Sequence, residues 1–171
     1  EKTKRRIDFL KNFGFADEVT VVEPGINAKM NEIQAAYGLL QLKYIDEYIA
    51  KRNVVADLYR NELKDIKGIS ILNDIEGIRH SYTYFPILIN EREYGESRDD
   101  VYERMKRENI YGRRYFYPLI SQFPTYRGLS SAKTDNLPIA TIVADQVLCL
   151  PMYSDLQPDV IKLICSILKE R

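Results

Sequence analysis

The chain has 171 residues, 45% of them hydrophobic and 29% charged, which is typical of an ordinary globular protein with one core. Lysine plus arginine and aspartate plus glutamate number 25 each, so no net field favours nucleic acid or an anionic membrane. No apolar run approaches the roughly 20 residues that span a bilayer, and the charged amino terminus lacks a signal-peptide core. We therefore expect a cytoplasmic protein with no nucleic-acid or membrane partner.

The chain begins with a predicted helix and an extended connection. Residues 2–13 have helical spacing with Ile7 and Leu10 facing inward, and Gly14 stands past the helix end, where glycine is favoured. Residues 15–23 are predicted to cross in an extended form. This part is interpreted as the end of one helix and a crossing segment.

A turn, a helix start and a long helix are predicted next. Pro24-Gly25 predicts a turn. Asn31 and Gln34 form a variant of the capping box, which marks a helix start. The apolar side chains that follow at helical spacing predict one long helix, bent near residues 46–50: Ile33, Ala36, Tyr37, Leu40, Tyr44, Val55, Leu58 and Leu63.

The second half of the chain alternates strands and helices. Residues 69–72 and 82–89 are predicted strands, and Pro86 in the second favours an edge position or a bulge. Residues 123–136 are predicted to form a surface loop. The remaining predicted elements are a helix capped by Ser97 and Asp100 through residue 108, an extended stretch at 110–117, a helix from Pro138 to residue 144, a strand at 147–150 and a helix opened by Pro158.

Strands interleaved with helices over short connections predict an α+β fold, a small mostly antiparallel sheet with covering helices and one long helix. Cys149 and Cys165 lack CxxC spacing and are predicted to be buried thiols. His80 is the only histidine, so we expect neither a histidine-rich metal site nor a Ser-His-Asp relay. No metal site is predicted.

Two segments have the composition of a ligand contact. Asn27 and Lys29 lie just before the capped helix, and an amide can donate to a phosphate oxygen without adding charge. The alternative is an ordinary loop and helix cap. Residues 113–118 interleave cations with aromatic rings, which suits a planar base or a diphosphate. The alternative here is a strand with one exposed face.

One motif at the start of the long helix resembles that of a known family. The motif is Gly25-x-Asn27-x-x-Met30-x-Glu32-x-Gln34-Ala35-Ala36-x-Gly38-x-x-Gln41-Leu42. With weaker matches at residues 10–14, 115–118 and 147–153, it resembles the second half of the DegT/StrS family of nucleotide-sugar aminotransferases. These enzymes use pyridoxal 5'-phosphate, and the resemblance covers nearly the whole chain.

The resemblance implies that residues 1–171 are a single-domain carboxy-terminal part of a larger enzyme. Residues 1–30 would be the end of the cofactor-domain helix plus a crossing segment, and residues 31–171 the small domain of a fold-type I pyridoxal-phosphate enzyme. The family's Schiff-base lysine would then lie upstream, so no residue here is expected to be catalytic. We expect the chain alone to be inactive and the full enzyme to be a homodimer.

The implied activity is transfer of an amino group, from glutamate, to a nucleotide-linked keto-deoxy-sugar, most similar to members that act on dTDP-sugars in the biosynthesis of O-antigen or another cell-surface polysaccharide. Two alternatives stay open. The parent could be one of the family's sugar dehydratases, in which the Schiff-base lysine is replaced by histidine. The chain could also be a non-catalytic binding or dimerisation module.

The resemblance also implies roles for individual residues. Asn27 would contact the cofactor phosphate of the neighbouring subunit, and Lys29 the sugar-nucleotide diphosphate. Tyr117 keeps its family match as a substrate contact. Where the family often has histidine this chain has Phe116, so Arg113 or Arg114 would supply the lost donor.

Overall fold

The structure is a computed structural model that describes residues 1–170. Its internal contacts divide the chain into two compact units, residues 1–45 and the remainder of the described chain. This division falls later than the boundary predicted after residue 30. The assignment of the pieces to domains of a larger enzyme stays a prediction.

The first unit begins with helix α1 (Lys2–Leu10) and a short turn. Phe15 forms an isolated antiparallel bridge with Val21. Between them, the Asp17 carboxylate accepts hydrogen bonds from two backbone N–H groups further along the chain, as aspartate commonly does in turns. The predicted extended crossing of residues 15–23 is therefore wrong, because Asp17 folds this stretch back on itself.

The predicted long helix is two helices, α2 (Glu32–Leu42) and α3 (Ile45–Leu63). The capping box is confirmed: the Asn31 side chain accepts from the Gln34 N–H at 2.8 Å, and the Gln34 side chain accepts from the Asn31 N–H at 3.3 Å. The interruption lies at residues 43–44, earlier than the predicted bend. Neither glycine nor proline stands there, so the sequence has no local signal for the break.

The apolar side chains of α2 are exposed. Ile33 is 82% exposed and Tyr37 63%, and α2 has no buried residue within the described chain. Ile7 on α1, also predicted to face inward, is 55% exposed. The predicted inward faces of these two helices are thus uncovered in residues 1–170, whereas Tyr59 and Leu63 on α3 are fully buried.

The second unit contains an antiparallel sheet in the order β1 (Ile69–Ile71), β2 (Phe85–Ile89) and β3 (Val147–Leu150). Pro86 lies on the central strand, so its predicted edge position is wrong. Strand β1 reaches only as far as the partner of Ile87, and Pro86 pairs with β3 alone. The proline ring therefore blocks no hydrogen bond to β1.

Helices α4 (Glu91–Tyr94), α5 (Arg98–Arg107), α6 (Pro138–Gln146) and α7 (Pro158–Lys169) complete the second unit. The predicted capping box of α5 and the prolines that open α6 and α7 are confirmed. Helix α5 packs on α7 and β3, and α6 on β2. The predicted α+β class is confirmed. The central core residues include Ala56, Tyr59, Leu63, Ile87, Ile89, Val101, Met105, Leu148, Ile161, Ile164 and Leu168.

The two cysteines are buried in the protein, and the single histidine is hydrogen-bonded to the backbone. Cys149 and Cys165 are buried free thiols, as predicted, and burial raises the pKa of Cys165 to about 12. His80 Nε2 accepts a hydrogen bond from the N–H of Ile75 at 2.9 Å. Within residues 1–170, no group of three potential ligands is placed to hold a metal ion, and no helix is long and apolar enough to cross a bilayer.

Residues 72–84 connect β1 to β2 and are held against α3 by arginines. Arg60 of α3 pairs with Asp74, whose carboxylate also accepts from the Tyr82 hydroxyl at 2.6 Å. Arg52 of α3 donates to the backbone carbonyl of Ser81 at 2.9 Å. These contacts give an exposed connection a defined position.

Acidification is expected to loosen this connection. The hydrogen bond from Tyr82, together with Arg60, lowers the pKa of Asp74 from its ordinary 3.8. Because the folded-state pKa is the lower one, the stabilisation is complete above the ordinary value and is lost as the pH falls through the folded-state pKa. NMR titration of the Asp74 carboxyl should give a midpoint below 3.8, and the Tyr82→Phe variant should move it upward. An identical midpoint in both proteins would refute this contact.

Candidate functional site

Residues 24–29 form a loop that lies against the carboxy-terminal end of α1. The N–H groups of Ile26 and Ala28 donate to the carbonyls of Leu10 and Lys11, each at 2.9 Å. Carbonyls in the last turn of a helix have no partner within the helix. The loop backbone therefore satisfies the end of α1, and α1 in turn fixes the loop.

Gly25 makes the closest approach in this loop. A Cβ atom at this position would lie 2.3 Å from the Gly14 nitrogen and 2.6 Å from the Leu10 carbonyl oxygen. The turn predicted at Pro24-Gly25 is wrong, because the chain bends at Glu23 and continues without a turn. Glycine is needed here for the close backbone contact rather than for a turn.

The Asn27 side chain lies on this fixed backbone and is free to bind a ligand. Asn27 bridges to Asn12 through the backbone, whereas its side chain is exposed and has no hydrogen bond within the described residues. A primary amide offers two donors. The geometry therefore suits donation to an anionic oxygen such as that of a phosphate.

Lys29 is exposed but engaged within its own unit. Its Nζ lies 3.0 Å from the Asn12 side-chain oxygen and 4.7 Å from the centroid of the Phe13 ring. Lys29 must therefore exchange the bond to Asn12 before its ammonium group can meet a ligand.

The second candidate segment leaves the sheet at Arg113. The Arg113 N–H donates to the Cys149 carbonyl at 2.9 Å, and the Cys149 N–H donates to the Arg113 carbonyl at 2.7 Å. Beyond this bridge the chain turns, and the Tyr117 N–H donates to the Arg114 carbonyl at 2.8 Å. The extended stretch predicted for residues 110–117 is therefore wrong after Arg113.

Arg113 and Arg114 have different surroundings. Arg114 donates to the Asp99 carboxylate at 2.9 Å, and its guanidinium lies 4.6 Å from the Tyr102 ring centroid and 5.7 Å from that of Tyr117. The Asp99 hydrogen bond raises the pKa of Arg114. Arg113 is exposed, with no side-chain hydrogen bond or ion pair in the described chain. Arg113 is thus the arginine of the pair that is open to a ligand.

A pocket of about 360 Å³ lies at this segment. Its walls combine two guanidinium groups with four phenol rings, which suits a ligand that has both a planar ring and an anionic group. The lining residues are Tyr102, Tyr111, Gly112, Arg113, Arg114, Tyr115 and Tyr117.

Phe116 belongs to an aromatic cluster beside this pocket. Its ring stacks on Tyr115 with the centroids 5.1 Å apart, and Tyr84 approaches the Tyr115 ring edge-on at 5.3 Å. Phe116 remains 70% exposed. Its side chain offers an apolar face and no hydrogen-bond donor.

Arg98 is a contact of the pocket residues that the sequence did not predict. It is 3% exposed, and its guanidinium carbon lies 4.6 Å from the Tyr117 ring centroid. Its Nη1 donates to the carbonyls of Ala144 and Val147 at 3.0 Å each, and its Nε donates to Asp99 at 2.7 Å. The two carbonyls are 46 and 49 residues away in sequence, so no local pattern indicates this burial.

Asp99 is an acidic residue in the first turn of α5. In the structure one of its carboxylate oxygens, Oδ1, accepts from both Arg98 and Arg114. The spacing of helix-start acids gives no signal for this second contact.

The chain matches the DegT/DnrJ/EryC1/StrS aminotransferase family over residues 1–169. It is 56% identical over 167 residues to the dTDP-4-amino-4,6-dideoxy-D-glucose transaminase of Escherichia coli, covering 98% of this chain and 45% of that enzyme. It is 41% identical to the transaminase of the same name from Shigella dysenteriae, covering 99% of this chain and 46% of that enzyme. The solved structure of DesI in the presence of its TDP-sugar product has a TM-score of 0.86 at 32% identity, covering 96% of this chain and 41% of that one.

The chain thus spans less than half the length of these relatives. The family match runs through both compact units. It includes the loop of residues 24–29, called the Asn27 loop, and the segment of residues 113–118, called the Arg113 segment. The resemblance inferred from the motif at residues 25–42 is confirmed. The chain therefore belongs to the DegT/DnrJ/EryC1/StrS aminotransferase family.

Proposed function

We propose that this chain is the carboxy-terminal part of a pyridoxal-phosphate-dependent aminotransferase that acts on a nucleotide-linked keto-deoxy-sugar. The observation that carries the proposal is the 56% identity, over nearly the whole chain, to a dTDP-amino-sugar transaminase. The geometry supports it, because two side chains with phosphate-binding chemistry, Asn27 and Arg113, are exposed on backbones held by hydrogen bonds.

Asn27 is the proposed contact to the cofactor. Pyridoxal phosphate, when bound, supplies the electron sink for amino transfer. The Asn27 amide fits one of its phosphate oxygens, since the side chain has no partner in the described chain and its loop is fixed on α1. In the proposed homodimer this contact reaches the cofactor of the neighbouring subunit.

Arg113 and Tyr117 are the proposed contacts to the nucleotide sugar. The Arg113 guanidinium is suited to diphosphate oxygens, and the pocket tyrosines to a planar base. Arg114 is proposed to support the pocket rather than to meet the diphosphate, because Asp99 and Tyr102 already hold it. Lys29 is a second proposed cation that must first leave Asn12.

The names of the relatives indicate which nucleotide sugar should be tested as the substrate. Amination of a 4-keto carbon produces the 4-amino sugar of the transaminases from Escherichia coli and Shigella dysenteriae. The proposed substrate is therefore dTDP-linked 4-keto-6-deoxy-D-glucose, with glutamate as the proposed amino donor.

The test is an assay of the full-length protein with pyridoxal phosphate, glutamate and this keto-sugar. Mass spectrometry should show the amino sugar and 2-oxoglutarate in equal amounts. Asn27→Ala should bind the cofactor about tenfold more weakly, because a hydrogen bond to a charged phosphate is lost, whereas the exposed Asn61→Ala should not. Loss of water from the sugar without glutamate consumption would instead establish a dehydratase. Absence of cofactor binding by the full-length protein would favour a binding module.

A further inference from the structure

A buried arginine supports the pocket without lining it. Arg98 is the first residue of α5 and is almost fully buried. Burying a guanidinium is costly unless its donors are satisfied. Three oxygens accept hydrogen bonds from its Nη1 and Nε atoms, the carbonyls of Ala144 and Val147 and the carboxylate of Asp99.

The same guanidinium is connected to the pocket by two routes. Its face supports the Tyr117 ring at 4.6 Å. Through Asp99 it is linked to Arg114, which stacks on Tyr102. Arg98 thus joins the end of α6 and the start of β3, both part of the folded unit, to three residues of the pocket wall.

We propose that Arg98 is a positioning residue for nucleotide-sugar binding, acting through Tyr117 and through the Asp99–Arg114 pair. The inference rests on the proposed function, since it concerns the same pocket. Arg98 is not among the residues that line this pocket, so its effect on affinity is indirect.

Substituting lysine for Arg98 tests whether the shape of the guanidinium matters in addition to its positive charge. An ammonium group keeps the positive charge but has no planar face and no fixed fork of donors. It cannot satisfy the Ala144 and Val147 carbonyls and Asp99 while also supporting the Tyr117 ring. Arg98→Lys should therefore leave the pocket wall poorly ordered.

The experiment is calorimetric titration of dTDP, used as the probe, into the full-length holoenzyme. Arg98→Lys should weaken dTDP binding about tenfold, with pyridoxal-phosphate affinity and the KM for glutamate unchanged. Arg107→Lys is the matched control, because Arg107 is exposed on the same helix and has no side-chain bond in the described chain. It should bind dTDP like wild type.

A double-mutant cycle identifies the route of the effect. Tyr117→Leu alone should weaken dTDP binding, and Arg98→Lys should then cost less affinity than it does in the wild type, because one of the two routes by which it acts is gone. If Arg98→Lys impairs folding, Asp99→Asn gives the second test. The Asp99 side chain is 53% exposed, so this change should leave the fold intact while releasing Arg114 and weakening dTDP binding.

The outcomes distinguish this inference from the proposed function. Wild-type affinity in both Arg98→Lys and Asp99→Asn, or fully additive losses in the cycle, would overturn the positioning role while leaving the proposed substrate standing. Failure of the wild-type holoenzyme to bind dTDP would overturn the proposed substrate itself, and the inference with it.

Discussion

Replacing Gly25 by alanine is expected to separate residues 24–29 from the end of α1. The added Cβ would lie 2.3 Å from the Gly14 nitrogen, so one of two backbone segments must move. Such overpacking should lower the local free energy of unfolding by roughly 3 kcal/mol. Hydrogen exchange of the Ile26 and Ala28 amides should report it directly, because these groups donate to the last carbonyls of α1.

The control for this change is Gly38→Ala. A Cβ on Gly38 would meet nothing within 4 Å, and alanine is the better helix former, so α2 should be unchanged or slightly more stable. In the full-length protein, Gly25→Ala should also weaken pyridoxal-phosphate binding, because the loop that positions Asn27 is displaced. Unchanged protection of Ile26 and Ala28 would show that the loop accommodates the methyl group and would contradict the prediction.

Arg113→Ala is expected to raise the KM for the nucleotide sugar by about 10- to 100-fold, the range for losing a charged hydrogen bond. The value of kcat should change much less, because the proposed diphosphate contact is remote from the reacting carbon. Steady-state kinetics of the full-length enzyme, with the sugar and glutamate varied separately, would measure both constants. The KM for glutamate should stay the same.

Arg114→Ala provides the comparison at the neighbouring position. It removes a partner of Asp99 and a stacking partner of Tyr102, so its main effect should be a lower unfolding temperature of the second unit. Equal KM effects at the two arginines, without any loss of stability at Arg114, would show that both meet the ligand and would contradict their division into one contact and one support.

Elements with short-range signals were predictable from the sequence. Asn31 with Gln34 and Ser97 with Asp100 are reciprocal hydrogen-bond pairs three residues apart, and such pairs act within one helical turn. The position of Pro86 was not predictable in this way. Its place on the central strand depends on β1 being only three residues long, which is a property of a different segment.

The parts of the candidate site that have a local sequence signal were predictable, and the parts that depend on contacts between distant segments were not. The motif at residues 25–42 located the Asn27 loop, and the mixture of arginine and tyrosine located the pocket segment. Which arginine is open could not follow from strand alternation, because Arg113 makes only an isolated bridge to β3 and the chain turns directly after it. Arg98 could not be found either, since its carbonyl partners lie at the end of α6 and the start of β3, beyond a long intervening loop.

The Arg113 bridge has a consequence for how ligand preference can change in this protein. Both of its hydrogen bonds use backbone atoms, which every residue except proline can supply. The strand that receives them is buried along its whole length, so the anchor is independent of the side chain at position 113. Exchanging that side chain should therefore change the preference for ligand charge with little loss of folding stability. Position 113 is thus the first site to vary in a library of variants designed to bind other sugar nucleotides.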